Sequence, residues 1–130
     1  MKTKILFAII IAFVIIIISS CTKAGIGGNA TVVCNVSNGI NNDKLSNITV
    51  YIKYGQSTAP SQNTSGYDDQ KQAVGTKATF IGLKEGTYYF LITAYDSAVS
   101  KSSQLSGSGP FSLTHANRNG TSTANFSVSY

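Results

Sequence analysis

The chain has 130 residues and a formal net charge of +5, from ten Lys and Arg residues against five Asp and Glu residues. This length suits one domain of ordinary size, which can enclose one modest core. Beyond the first few positions the basic residues are scattered singly. Nucleic-acid-binding proteins gather such charge on one face, so the composition excludes that function class.

The first element is a segment with the anatomy of a secretory signal. Lys2 and Lys4 precede an uninterrupted apolar run, residues 5–18, and two serines follow before Cys21. This order of charge, apolar run and small residues is typical of a signal peptide, which we expect to be helical over residues 1–20. The apolar run is shorter than the roughly 20 residues that a spanning helix needs.

The end of this segment, Ile18-Ser19-Ser20-Cys21, resembles the lipobox of bacterial lipoproteins. The resemblance implies cleavage before Cys21, diacylglycerol on its sulfur and a further acyl chain, such as palmitate, on its new amino group. It also implies a membrane anchor in a bacterial envelope, in the outer membrane, with the domain on the surface or periplasmic side. The alternatives are an ordinary signal that precedes Cys21 by chance, or an uncleaved membrane helix.

The rest of the chain has β character. We expect a flexible tether over residues 21–29 and one domain over residues 30–130, because short Val-, Ile-, Thr- and Tyr-rich runs alternate there with Gly, Asn and Ser clusters. The predicted strands are Asn29–Val36, Asn47–Tyr54, Thr76–Leu83, Gly86–Tyr95, Gly109–Thr114 and Thr121–Tyr130. The fold expected is an all-β, antiparallel sandwich of about six to seven strands.

The alternation within these strands predicts which side chains face the core. The inward sets are Ile48, Val50 and Ile52; Tyr88, Phe90, Ile92 and Ala94; and Ala124, Phe126, Val128 and Tyr130. Cys34 shares a face with Val32 and Val36, which predicts a buried thiol that acts as a small apolar residue.

Two polar stretches, residues 55–75 and 96–110, interrupt the pattern and are candidate contact surfaces. Pro110 suits the start of a strand. Exposed tyrosines can stack on sugars or anchor a protein partner. We expect five to face outward, with Tyr67, in a loop, as the candidate ligand contact: Tyr51, Tyr54, Tyr67, Tyr89 and Tyr95.

The segment Phe80-Ile81-Gly82-Leu83-Lys84-Glu85-Gly86-Thr87-Tyr88 resembles the strand–turn–strand of prealbumin-like domains, which include transthyretin-like and carboxypeptidase-regulatory-like modules and adhesin B-type repeats. The spacing lets Phe80, Leu83 and Tyr88 converge on one core, with Gly86 in the turn. The resemblance implies a prealbumin-like sandwich. Adhesin repeats often carry a Lys–Asn isopeptide bond assisted by a buried acid; Lys44 or Lys53 with Asn125 could supply the pair, but the acid is missing.

The residues predict no catalytic, metal or cofactor site. The five acids form no spaced pair, and the single His has no partner Cys for a hydrolase template. Asp68 and Asp69 lack calcium-loop spacing and are expected in a solvated loop. Asp96-Ser97-Ala98 resembles an O-glycan acceptor of some gut-dwelling bacteria, which makes Ser97 a candidate modification site; the alternative is a turn-forming Asp96.

The sequence therefore predicts a lipid-anchored, non-catalytic binding or structural module, held in the membrane through Cys21, with a protein or glycan ligand. The alternative is a periplasm-facing accessory subunit that docks on an envelope complex by pairing at a sheet edge. An enzyme ranks third, because no catalytic constellation is visible.

Overall fold

The computed structural model describes residues 23–39, 45–60, 63–97 and 104–130. Within these ranges the chain forms seven strands and one short 3-10 turn at Thr64–Gly66, which confirms the predicted all-β class. The strands are β1 (Ile26–Asn38), β2 (Leu45–Tyr54), β3 (Asp69–Gln72), β4 (Lys77–Leu83), β5 (Gly86–Asp96), β6 (Gln104–Leu113) and β7 (Thr121–Val128). The predicted signal segment and Cys21 lie outside the described residues, in which no helix is long and apolar enough to cross a membrane.

Two sheets face each other across one apolar core, so the predicted sandwich is confirmed. One sheet has three strands in the order β4-β1-β7, and the other has four in the order β3-β2-β5-β6. All pairings are antiparallel except that of β1 with β7, which is parallel and departs from the prediction. These two strands come from opposite ends of the domain, so the rest of the domain supplies the long connection that parallel neighbours need.

The predicted core faces of β2 and β5 are confirmed. Alternate residues of each strand are buried, because successive side chains of a strand point to opposite faces. The buried sets are Ile48, Val50 and Ile52 on β2, and Tyr88, Phe90, Ile92 and Ala94 on β5. Cys34 lies in the same core on β1 as a free thiol, and burial raises its pKa to about 12. It therefore acts as an inert apolar residue, as predicted.

The inward face predicted for the last strand is correct only as far as Val128. Ala124 and Val128 are buried and Phe126 packs against the core, but Tyr130 is 63% exposed. Tyr130 lies past the end of β7, and its hydroxyl donates a hydrogen bond to Asp96 Oδ2 at 3.1 Å. Asp96 is itself buried as the last residue of β5, so it is not the turn-forming residue that the sequence suggested as an alternative.

Both polar stretches contain a strand that the sequence analysis missed in whole or in part. β3 (Asp69–Gln72) lies within residues 55–75, and β6 begins at Gln104 rather than Gly109. The first half of β6 contains small residues because it passes close to β7. A Cβ on Gly107 would lie 2.3 Å from the carbonyl oxygen of Ser127. Pro110 lies inside this strand, which is tolerated because β6 is at a sheet edge.

The start of the domain also differs from the prediction, because β1 begins at Ile26 where a tether through residue 29 was expected. The cause is a set of contacts made by Tyr88, whose ring is buried in the core. Its hydroxyl accepts a hydrogen bond from Gly25 N at 3.1 Å and donates to the carbonyl oxygen of Lys84. Gly86, which lies between Lys84 and Tyr88, has φ +147°, a conformation that favours glycine. The chain is thus fixed to the domain from Gly25 onward.

Tyr88→Phe should lower the free energy of unfolding by about 1–3 kcal/mol, because it leaves the buried Gly25 N–H and the part-buried Lys84 carbonyl without their partner. The matched control is Tyr89→Phe on the next residue, whose hydroxyl bonds only Ser108 Oγ at 2.9 Å in an exposed position. The control should change stability by less than about 0.5 kcal/mol. Urea unfolding followed by circular dichroism measures both. Equal losses in the two variants would show that the Tyr88 hydroxyl does not hold the amino-terminal segment.

Candidate binding site

A shallow cleft lies on the outer face of the four-stranded sheet, where Tyr51 of β2 meets Tyr67. The two ring centroids are 5.9 Å apart, with the ring planes tilted by 53°. The cleft has a volume of about 290 Å³. Its other lining residues are polar: Thr64, Asp68, Asp69 and Gln70. In this cleft, two tyrosine rings and several polar groups converge on an open surface.

Tyr67 is held over the sheet by the short segment that leads into β3. The 3-10 turn at Thr64–Gly66 precedes it, and Tyr67 N donates to Thr64 O at 3.3 Å. The next residue, Asp68, donates its backbone N–H to Ile52 O at 2.9 Å and so continues the ladder between β2 and β3. The loop tyrosine is therefore positioned by a sheet edge.

The side chain of Asp68 fixes the same segment a second time. One carboxylate oxygen accepts from Tyr54 N at 2.7 Å, and the other lies 3.0 Å from Lys53 Nζ. Asp68 is exposed in the loop before β3, as expected from the sequence, but its carboxylate is not free. Asp68 joins β2 to the loop, an arrangement that depends on a long-range contact and has no local sequence signal.

The charges around the cleft are balanced. Asp68 is paired with Lys53, and Asp69 accepts from Gln70 N at 2.8 Å and lies 4.0 Å from Lys71 Nζ. Partial burial raises the pKa of Tyr67, and the nearby Tyr89 raises it further, so its hydroxyl stays protonated at neutral pH. The cleft therefore offers aromatic faces, hydroxyls and an amide without an excess of either charge.

The candidate residues lie far apart in the fold. Tyr67 is half-buried on the side of the sandwich, while Ser97 is exposed just after β5. Ser97 lies at the end opposite to Gly25, because Asp96 pairs with Leu45 at the start of β2 and Gly86 starts β5 at the other end. The structure does not bring these two sites together. Cys21 and Ala98 lie outside the described residues.

One expectation for an outward side chain needs correction, and one pairing rejected from the sequence is also absent from the described part of the fold. Tyr54 has the same parity as Ile52, so it points inward and packs edge-on against Tyr88 with ring centroids 5.8 Å apart. Lys53 and Asn125 were considered as an isopeptide pair, but Lys53 binds Asp68 and Asn125 accepts a hydrogen bond from Asn35 at 3.0 Å on the other sheet. The other candidate, Lys44, lies outside the described residues.

Among the described residues, no group of three or more His, Cys, Asp and Glu side chains is placed to hold a metal ion. Comparison of the chain with protein-family models, with curated proteins and with solved structures finds no match.

Proposed function

We propose that this protein is a lipid-anchored, non-catalytic binding module of a bacterial envelope, attached through acyl chains on Cys21. The support for the anchor is the lipobox-like sequence Ile18–Cys21 together with its position close to the fold. The domain begins at Gly25, only four residues after Cys21, so an anchor there would keep the whole sandwich close to the membrane. Such a protein would belong to the outer membrane, on its surface or periplasmic side, and the prealbumin-like resemblance of Phe80–Tyr88 is consistent with a sandwich module.

The ligand that best fits the Tyr51–Tyr67 cleft is a neutral glycan. The observation that carries this proposal is the pairing of two tilted tyrosine rings with polar groups whose charges are already balanced. Because Asp68 lies beside Lys53 and Asp69 beside Lys71, the cleft has no strong preference for a charged ligand. Open aromatic faces provide apolar contact area, and the hydroxyl and amide groups provide hydrogen bonds that orient a polar ligand.

Tyr67→Ala should weaken binding of a neutral oligosaccharide about tenfold, as truncation of an aromatic contact residue does. The probes are short neutral oligosaccharides of glucose, galactose, mannose and N-acetylglucosamine, with an acidic oligogalacturonide for comparison, titrated by calorimetry into the detergent-solubilised full chain. Tyr95→Ala is the matched control, because Tyr95 is a half-buried tyrosine on the same outer face, opposite Gln104 of β6. Equal affinity in both variants, or binding of the acidic probe alone, would contradict a neutral-glycan cleft.

A second candidate is an accessory subunit that pairs with an envelope protein through the edge of β4. Lys77 exchanges backbone hydrogen bonds with Val74, so the odd-numbered residues of β4 direct their backbone groups away from β1. Thr79 and Ile81 share that direction, and the Ile81 side chain is 73% exposed. A groove of about 300 Å³ runs between this edge and β3. An exposed edge of this kind accepts an added strand.

The two candidates are separated by a second variant, Ile81→Glu, which places a charge on the β4 edge and leaves the cleft intact. A glycan-binding module keeps its oligosaccharide affinity in Ile81→Glu. An accessory subunit loses cross-linking to its membrane partner in Ile81→Glu and retains it in Tyr67→Ala.

A further inference from the structure

The end of the sandwich at which the chain enters is fixed by hydrogen bonds. Lys84 N donates to Gly25 O at 2.8 Å, and Gly25 N donates to the Tyr88 hydroxyl at 3.1 Å. Gly25 is the fourth residue after Cys21, and an extended chain spans at most about 3.5 Å per residue. An acylated Cys21 would therefore hold Gly25 within about 14 Å of the bilayer surface.

This same end carries a cluster of exposed cations around a surface cavity of about 410 Å³. Lys84 and Arg118 line the cavity and are exposed, and Lys23 is exposed where the described chain begins. The opposing charge is Glu85, whose carboxylate is 3.3 Å from Nδ1 of the exposed His115. Three cations against one carboxylate leave this end positive by two charges, with His115 counted as neutral.

We propose that this basic end rests on the lipid headgroup layer that holds the Cys21 acyl chains, with Lys84 and Arg118 on lipid phosphates. The inference depends on the lipid anchor proposed above and adds an orientation to it. Anionic lipid surfaces attract nearby Lys and Arg side chains, and the attraction falls off within a Debye length. The short connection to Cys21 lets this end of the sandwich reach the surface, and docking there brings both cations within that distance of the headgroups.

The orientation has a consequence for the other candidate sites. The turn from Val74 to Lys77 and the residue Ser97 lie at the opposite end of the sandwich, so both face away from the membrane. The Tyr51–Tyr67 cleft lies on the side of the domain, where a ligand can approach parallel to the bilayer. A glycan on Ser97 would extend outward from the membrane-distal end.

The test uses the acylated full chain in vesicles that contain phosphatidylglycerol and a headgroup-attached fluorescence quencher. A thiol-reactive fluorophore is placed at Ala116→Cys, beside Arg118, or at Thr76→Cys, at the opposite end; both residues are exposed. Native Cys34 stays unlabelled because it is buried and its pKa is raised to about 12. We expect strong quenching at position 116 and little at position 76.

Lys84→Gln combined with Arg118→Gln should lower the ratio of docked to undocked domain about 25-fold, or about fivefold per charge. The control, Lys77→Gln, removes one charge from an exposed residue at the opposite end and should change nothing, whereas Lys84→Gln alone should lower the ratio about fivefold. Equal quenching at positions 116 and 76, in protein that stays in the membrane through Cys21, would overturn the docking but not the anchor. Protein that does not enter the membrane fraction at all would overturn the anchor. Quenching that the Lys84 and Arg118 substitutions leave unchanged would overturn the role of these cations.

Discussion

Phe90→Ala should lower the free energy of unfolding by about 3–5 kcal/mol, a large part of the roughly 5–15 kcal/mol that stabilises a typical domain. The Phe90 ring is buried at the centre of the core, where it meets three other aromatic rings. Its centroid is 5.6 Å from Phe80, 5.5 Å from Phe126 and 6.3 Å from Phe111. Phe80 and Phe126 belong to the three-stranded sheet and Phe90 to the four-stranded sheet, so the Phe90 side chain packs directly between the two sheets.

The matched control for Phe90 is Leu91→Ala, which truncates the next residue of β5 on the outer, half-exposed face. We expect it to lower the free energy of unfolding by less than about 1.5 kcal/mol, because folding buries less apolar area at Leu91 than at Phe90. If Phe90→Ala does not fold, Phe90→Leu is the alternative because it keeps much of the side-chain volume. It should still lower the free energy of unfolding by about 1 kcal/mol or more, because the aromatic ring pairs are lost. Urea midpoints give all three values. Equal losses for Phe90→Ala and Leu91→Ala would mean that the aromatic cluster does not join the sheets.

The core was predictable because strand periodicity is local. Ile48, Val50 and Ile52 alternate with polar neighbours, and the period of two alone assigns them to one face. The same rule places Cys34 inside with Val32. Phe80, Leu83 and Tyr88 were predicted to converge because the intervening turn contains Gly86, and all three are buried.

Both strands were missed for the same physical reason: the residue types they require depend on contacts with residues distant in sequence. Position 107 requires glycine because the backbone of Ser127 passes over it, and the neighbouring sequence gives no sign of this contact. β3 exposes three of its four residues and therefore has no apolar alternation to detect. Edge strands of this kind contribute backbone pairing more than buried side chains, so composition assigns them to loops.

The candidate cleft could be predicted only in part for a similar reason. Tyr67 was identified as a loop aromatic, but its partner Tyr51 lies on a strand that the loop must fold back to reach. The contact is made because Asp68 bonds the backbone of Tyr54 and the ammonium group of Lys53. Local sequence rules predict a side chain's face, whereas a binding site depends on which faces the long-range pairing brings together.

Cys21→Ala should abolish lipid attachment completely, the largest functional effect expected for any single substitution in this chain. The proposed acyl chains would supply the anchor, since each buried CH₂ group contributes about 0.8 kcal/mol and more than one chain is needed for stable attachment. We expect the native protein to incorporate an alkyne-tagged palmitate and to enter the detergent phase of a Triton X-114 separation. The Cys21→Ala variant should do neither.

Cys34→Ala is the matched control, because it removes the other of the chain's two cysteines. Cys34 is a buried thiol in the core of β1, so its loss should leave the palmitate label and the detergent partitioning intact. Protease treatment of intact cells then separates the two sides of the outer membrane, since a surface-facing domain is cleaved and a periplasm-facing domain is protected. A palmitate label that persists in Cys21→Ala, or one that is absent from the native chain, would contradict acylation at Cys21. Cys21→Ala that stays membrane-bound without label would instead indicate that residues 5–18 act as an uncleaved anchor.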